Sequence, residues 1–306
     1  MPEPLIECVP NFSEGQRPEI VESIVAAMQV KGVHLLDWSL DADHNRSVVT
    51  IAGAPAAVVE AAVRGAGRAA QLIDLTTQQG VHPRIGAADV IPFVPVHGIS
   101  LEQCVLLARQ AGTEIWKRHQ VPVYFYEAAA ARPDRAMLED VRRGQFEGLR
   151  DAVLKEPARR PDVGGPSLHP TAGASAVGAR KFLIAFNLYL DTADVAVARA
   201  IARDIRQTGG GLAGVKAMGV SAHGQAQVSM NLTDFTRTPV ADVVAAVREK
   251  ARRHGAEPAR AELIGLIPEA ALERNSEWVR LLDGFDPDMK VLERRLEHPL
   301  AWPETR

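Results

Sequence analysis

Apolar positions recur along this chain either every second residue or every three to four, and the switches between those periods predict its elements. Residues 5–9 (LIECV) read as a short strand, and Pro18 opens a helix in which Ile20, Ile24 and Met28 share one face. Two β-rich runs, 33–38 and 47–52, flank the polar turn DADHNR. Pro55 then starts a helix with Val59, Ala62, Val63, Ala66 and Ala70 on one stripe. A strand at 90–96 precedes a helix announced by a capping-box pattern, Ser100 and Gln103, with Cys104, Ala108, Ala111 and Ile115 inward. A strand at 122–126 follows.

The strongest break in composition is GGPSLHPTAGASAVG, residues 164–178, which has neither helical nor strand period and marks a boundary. Beyond it, 182–190 is apolar on both faces like a central strand, and Asp191 begins a helix with Val197, Ile201 and Ile205 inward. Strands at 216–221 and 225–234, a helix after Pro239 with Val240, Val243, Val247 and Ala251 buried, and a strand at 261–266 complete the chain. Each half therefore runs β-α-β-β-α-β, the first with an added α-β. This order predicts the α+β class: two tandem ferredoxin-like subdomains with antiparallel or mixed sheets, residues 1–179 and 180–306.

With 306 residues, 46% of them hydrophobic, and a net charge of −3, the chain has the material for two cores and none of the basic excess of a duplex-binding protein. Nucleic acid is not an expected partner. Two cysteines, Cys8 and Cys104, supply no disulfide framework and no cysteine-based zinc site. The start MPEPLIECVPNF lacks a signal-peptide pattern, and no uncharged apolar run is long enough to span a bilayer. The expected setting is the cytoplasm, away from membranes.

Several familiar chemistries are disfavoured. Gly209, Gly211 and Gly214 have dinucleotide-type spacing, but a helix precedes them and a strand follows, the reverse of a phosphate-binding turn. None of the nine histidines forms HExxH or an i, i+4 pair with another, so no metal is expected, and GxSxG is missing.

What remains is a set of polar groups on loops. In GVHPRIGAADV, His82 sits between a glycine and a proline just before a strand, with Arg84 and Asp89 close behind. A rigid loop of this kind suits a proton-transferring histidine and equally a surface turn. Asn11 lies in NFSEG after the first strand, and Arg46 closes the DADHNR turn, where polar residues are expected for turn reasons alone. Along 225–232, Gln225, Gln227, Ser229 and Asn231 alternate with apolar residues. Such an amide-lined face suits hydrogen bonding to a heterocycle, or simply solvent. The 164–178 loop is stiffened by Pro166 and Pro170 and followed by Arg180 and Lys181, cations placed to meet an anionic group.

Taken together, ECVPNFSEG, GVHPRIGAADVIPFVPV, PVYFYEAA, the glycine-rich loop running into GARKFLIAFN, and AQVSMNLTDF closely resemble the glutamate formimidoyltransferases. The match spans most of the chain in order and corresponds to the transferase half of the bifunctional formimidoyltransferase-cyclodeaminases, so only the transfer step is expected of it. The resemblance implies transfer of a formimino group from N-formimino-L-glutamate to N5 of tetrahydrofolate, a one-carbon salvage step of histidine breakdown, in a homodimer without a metal. Formyl transfer from N-formylglutamate and a non-catalytic folate sensor are the alternatives. The resemblance places the catalytic histidine at His82 and folate binding on Gly164, Gly165, Pro166, Ser167, Leu168, His169, Pro170, Thr171, Ala172 and Gly173. Ala172 departs from the tryptophan of mammalian members. Candidates for substrate binding are Asn11, Arg46, Arg84, Asp89, Arg180, Lys181, Gln227 and Asn231.

Overall fold

The computed structural model describes residues 3–80, 82–272 and 276–304. Contacts divide them into two compact units, one running to Arg180 and regaining the chain from Pro299, the other covering Lys181–His298.

In the first unit the order is β1 (Leu5–Cys8), β2 (Asn11–Phe12), α1 (Pro18–Ala27), β3 (Val33–Asp41), β4 (Arg46–Gly53), α2 (Pro55–Leu72), β5 (Ala88–His97), α3 (Leu101–His119) and β6 (Val123–Glu127). The short helices α4 (Leu138–Val141) and α5 (Gln145–Lys155) and the strand β7 (Ser175–Ala179) follow. β3 pairs with β4, β4 pairs with β1 and β2, and both of those pair with β5, all antiparallel. β7 then lies parallel to β5, and β6 parallel to β7, so the sheet has seven strands and mixed direction. Alanine and glycine on the α2 stripe let helices approach closely: a Cβ at Gly65 would sit 2.8 Å from Met28 Cγ of the neighbouring turn. The predicted capping box on α3 is present, Ser100 Oγ accepting from the Gln103 amide and Gln103 Oε1 from the Ser100 amide.

The second unit holds β8 (Ile184–Leu190), α6 (Val195–Ile205), β9 (Val215–Ala222), β10 (Gln225–Leu232), α7 (Val240–Arg253) and β11 (Pro258–Ile264), then the short helices α8 (Pro287–Lys290) and α9 (Leu292–Glu297). Its four strands are ordered β11-β8-β10-β9, antiparallel throughout, and Phe186, Leu188, Val228 and Met230 form a core with Ile201, Val243 and Val247. Two α+β units, each with its own sheet, are thus the architecture the pattern predicts.

Some boundaries move. Asp194, not Asp191, caps α6, because its carboxylate accepts from the Ala196 amide at 2.9 Å while Asp191 accepts from Glu257 across the unit. Residues 175–178, inside the predicted loop, belong to β7: an all-small SAVGA run suits a strand buried between two parallel neighbours. The glycine triplet at 209–211 ends a helix and precedes β9, as its order implied.

Candidate active site

Three loops of the first unit converge through backbone contacts that the sequence encodes with small and amide residues. Asn45, in the left-handed region at φ 48°, accepts from the Gly15 amide through Oδ1 at 2.9 Å. Its Nδ2 donates to Gln79 O at 2.7 Å. Gly80 completes the junction, since a Cβ there would lie 2.5 Å from His44 O. The turn between β3 and β4 is therefore pressed against the segment that leads to His82.

On this frame four predicted residues meet. Arg46, the first residue of β4, donates from Nε and Nη2 to Asn11 Oδ1 at 2.9 and 2.7 Å, while Asn11 Nδ2 donates to Val9 O and fixes the amide. The remaining nitrogen, Nη1, lies 3.2 Å from Asp89 Oδ2 and 2.7 Å from His82 Nδ1. Asp89 is fully buried, its Oδ1 accepting from the Ile85 amide at 2.8 Å and its Oδ2 also from Arg142 Nη2. Arg142, just after α4, was invisible to pattern reading; the short, mostly polar segment around it carries no periodic signal, and its partner lies 53 positions away.

Two guanidinium groups face one carboxylate, and Arg142 Nε is buried without an acceptor among the described residues. Burial raises the Asp89 pKa, but the charges of Arg142 and Arg46 outweigh it and hold the carboxyl below its usual range. Burial first and Arg142 second lower Arg46 to about 10, which leaves it a cation at neutral pH. Burial, then Arg46 and Arg142, press His82 down to about 2, so its imidazole is neutral. Its Nδ1 also lies 2.8 Å from Pro83 O. A nitrogen with a lone pair accepts from Arg46, and a nitrogen with a proton donates to the carbonyl, so these contacts are alternatives. The charge-assisted one from Arg46 is the stronger in the unliganded protein.

Beside this cluster the turn holds a second pair. Asp41 Oδ2 is 2.6 Å from His44 Nδ1, Asp41 Oδ1 accepts from the His44 amide at 2.9 Å, and the His44 and His82 rings are 6.3 Å apart between centroids.

The other candidates divide. Arg84 is buried and committed to structure: it pairs with Glu147 at 2.7 Å and donates to Gln78. Arg180 directly follows β7, its charge acting on Tyr126 and Cys8. In the second unit Lys181 pairs with Asp234 at 3.3 Å, Asn231 is exposed on β10, and Gln227 is buried with neither amide atom partnered among the described residues. Gln227 lies in register with Tyr189 of β8, whose hydroxyl donates to Glu262 and whose ring carries the Arg260 guanidinium 3.4 Å from its centroid.

The loop at 164–173 is no free linker. His169 and Gly173 exchange backbone hydrogen bonds, and His169 Nδ1 accepts from the Ala172 amide at 2.9 Å. Ala172 O and the Ala174 amide bond Ala87 and Ile85, the stretch whose amide also holds Asp89. Gly164, Pro166, Ser167 and Pro170 remain exposed, while Leu168, Ala172 and Gly173 are buried. Among the described residues no group of three or more His, Cys, Asp or Glu is placed to hold a metal, and no helix is long and apolar enough to cross a membrane.

Two family descriptions match the chain: the formiminotransferase domain, N-terminal subdomain, over residues 5–180, and the formiminotransferase domain over residues 185–281. A glutamate formimidoyltransferase of Streptococcus pyogenes serotype M1 is 42% identical over 95% of this chain and 98% of its own length. One from Thermoplasma acidophilum is 43% identical over 96% and 97%. The formimidoyltransferase-cyclodeaminase of Mus musculus is 42% identical over 88% of this chain, which spans 51% of that longer protein.

Proposed function

The chain belongs to the formiminotransferase family and is an enzyme of the transferase class, and we propose that it moves the formimino group of N-formimino-L-glutamate to N5 of tetrahydrofolate, with His82 carrying protons. The observation that carries the reading is the buried cluster in which two guanidinium groups share one carboxylate and flank a neutral imidazole. Such a site attracts an anion, and both substrates bring carboxylates. A carboxylate on Arg46 and the free Arg142 Nε–H offsets the field that keeps His82 unprotonated. It also draws Arg46 from Nδ1, so that Nδ1 carries its proton toward Pro83 O and Nε2 presents a lone pair.

In the transfer, a bond forms between N5 and the formimino carbon, N5 gives up one proton, and the bond from that carbon to the glutamate nitrogen breaks as this nitrogen gains one. No net proton is consumed. Residues 164–173 are the proposed folate contact, supported by their exposed Gly164, Pro166, Ser167 and Pro170 on a segment bonded to the stretch just before β5, whose Ile85 amide holds Asp89. Gln227, with its unmatched amide, is the second unit's proposed substrate contact, and Asn231 and Lys181 follow it. A homodimer working in the cytoplasm belongs to the same reading through the family resemblance, and sedimentation equilibrium checks the dimer.

The test mixes purified protein with tetrahydrofolate and N-formimino-L-glutamate and follows 5-formiminotetrahydrofolate. Turnover is expected to fall about 10²- to 10⁴-fold in His82→Ala, the range of general acid-base help, and N-formyl-L-glutamate is expected to give none. Turnover with the formyl donor alone would reassign the reaction. Folate binding without turnover from either donor would make the protein a sensor.

A further inference from the structure

Transfer needs one group to take a proton from N5 and another proton to reach the glutamate nitrogen, and His82 is surrounded for only the first task. Arg46 and Arg142 flank it and keep its ring neutral, so once a bound carboxylate offsets their field it has a lone pair to take a proton but no extra proton to give. A few ångströms away His44 lies in the opposite setting. Both oxygens of Asp41 are aimed at it, one on the His44 amide at 2.9 Å and one on Nδ1 at 2.6 Å, and its ring centroid lies 6.3 Å from that of His82 at a tilt of 60°. We propose that His44, oriented by Asp41, is the acid that protonates the departing glutamate nitrogen while His82 accepts the proton of N5.

This inference rests on the formimino-transfer reading and deepens it. The proton balance is complete. His44 gives its proton to the glutamate nitrogen, which keeps the electron pair of the breaking bond and leaves as an amine. The lone pair on the remaining nitrogen rebuilds the C=N bond of the transferred group. His82, now protonated by N5, returns its proton to His44 through solvent, and no other reactant is needed. The groups facing His44 favour a charged ring: the bond from Asp41 raises its pKa most, burial and Arg46 oppose, and Asp43 adds to the rise. Across the junction its backbone carbonyl lies against Gly80, and its ring faces the uncharged His82. Its side chain is 18% exposed, half-buried yet reachable. Closing the turn requires only the contact between the His44 amide and Asp41; the contact to Nδ1 is additional, and a carboxylate on one imidazole nitrogen favours the imidazolium that donates from the other.

The deciding experiment is the pH profile of kcat/KM for formimino transfer by the wild-type protein, His44→Gln and Asp41→Asn, each confirmed folded by circular dichroism. The wild type is expected to lose activity on the alkaline side as His44 deprotonates. His44→Gln is expected to fall about 10²-fold or more with KM unchanged and to lose that limb, whereas limbs set by the substrates persist. Asp41→Asn is expected to move the limb toward lower pH, an arm that stands if His44→Gln fails to fold. Wild-type rate and an unchanged alkaline limb in His44→Gln, or an unmoved limb in Asp41→Asn, would overturn the assignment while leaving the transferase reading intact. Lack of transfer by the wild type would instead sink that reading.

Discussion

Arg142 in the first unit and Gln227 in the second both keep buried polar atoms without partners among the described residues, yet they ask for different things. Arg142 Nε is a donor on a permanent cation, in a cluster already short of negative charge, so only an acceptor satisfies it and an anion satisfies it best. Gln227 offers a donor and an acceptor on a neutral amide, with Tyr189 and Val220 beside it in register, and is matched by an uncharged group that does both. Leaving a buried polar group unmatched costs about 1–3 kcal/mol, so both positions are places where the fold forgoes stability that a bound molecule can restore.

The largest test of this contrast removes the cation from the first site. Arg46→Met leaves Asp89 buried with half its pairing and orphans the Asn11 carbonyl; loss of about 3–5 kcal/mol in a urea titration is expected, together with loss of transfer. A second test uses acid. The folded state resists protonating His82, whose pKa lies near 2, whereas the unfolded chain protonates it at the ordinary value of about 6.5, so stability falls as pH drops below that range. The contribution from this one group is at most about 1.4 kcal/mol per pH unit, and His82→Gln is expected to flatten the slope of unfolding free energy between about pH 6 and 4.5 by up to that amount. Asp89 acts with the same sign, lower, as pH falls through its depressed value. His44, with a raised pKa, has the opposite sign: its stabilisation is full below the ordinary histidine range and is lost as pH rises through the folded value.

In the second unit the expected sign reverses. Gln227→Met deletes the unmatched amide at nearly constant volume and is expected to stabilise the protein by about 1 kcal/mol in the same titration, while the KM for one substrate rises. An equal loss of stability in Gln227→Met and Arg46→Met would erase the distinction. The smallest effect is expected at Lys181→Ala, where a largely exposed pair with Asp234 contributes less than about 1 kcal/mol, so a change in KM there reports binding alone.

The sequence made the elements legible where period and punctuation agree. Pro18, Pro55 and the Ser100/Gln103 pair mark helix starts that the structure keeps, and the alternation along 225–232 is that of a strand with one apolar face. Asn11, Arg46, His82 and Asp89 were each legible as candidates, but their meeting was not. It depends on β2 lying between β4 and β5, with Asn11 opposite Val48 and Val90, a register that hydrophobic alternation does not number. Arg142 was missed because nothing local distinguishes it, and His44 because a polar turn explains an aspartate and a histidine without any chemistry. The burial of Gln227 is likewise a tertiary fact, since amides at alternate positions look the same on a wet face.

The chain returns to its first unit at Pro299, where Leu300 donates its amide to Leu35 O at 2.8 Å. The second unit is consequently an insertion with two covalent tethers, and cutting one does not release it. A nick engineered between Arg180 and Lys181 leaves a fragment whose final residues still occupy the edge of β3, so the halves are expected to co-elute under native conditions and to separate in urea. Removing residues 299–306 from the nicked protein takes away this contact with β3 as well, and co-elution of the two pieces is then expected to weaken.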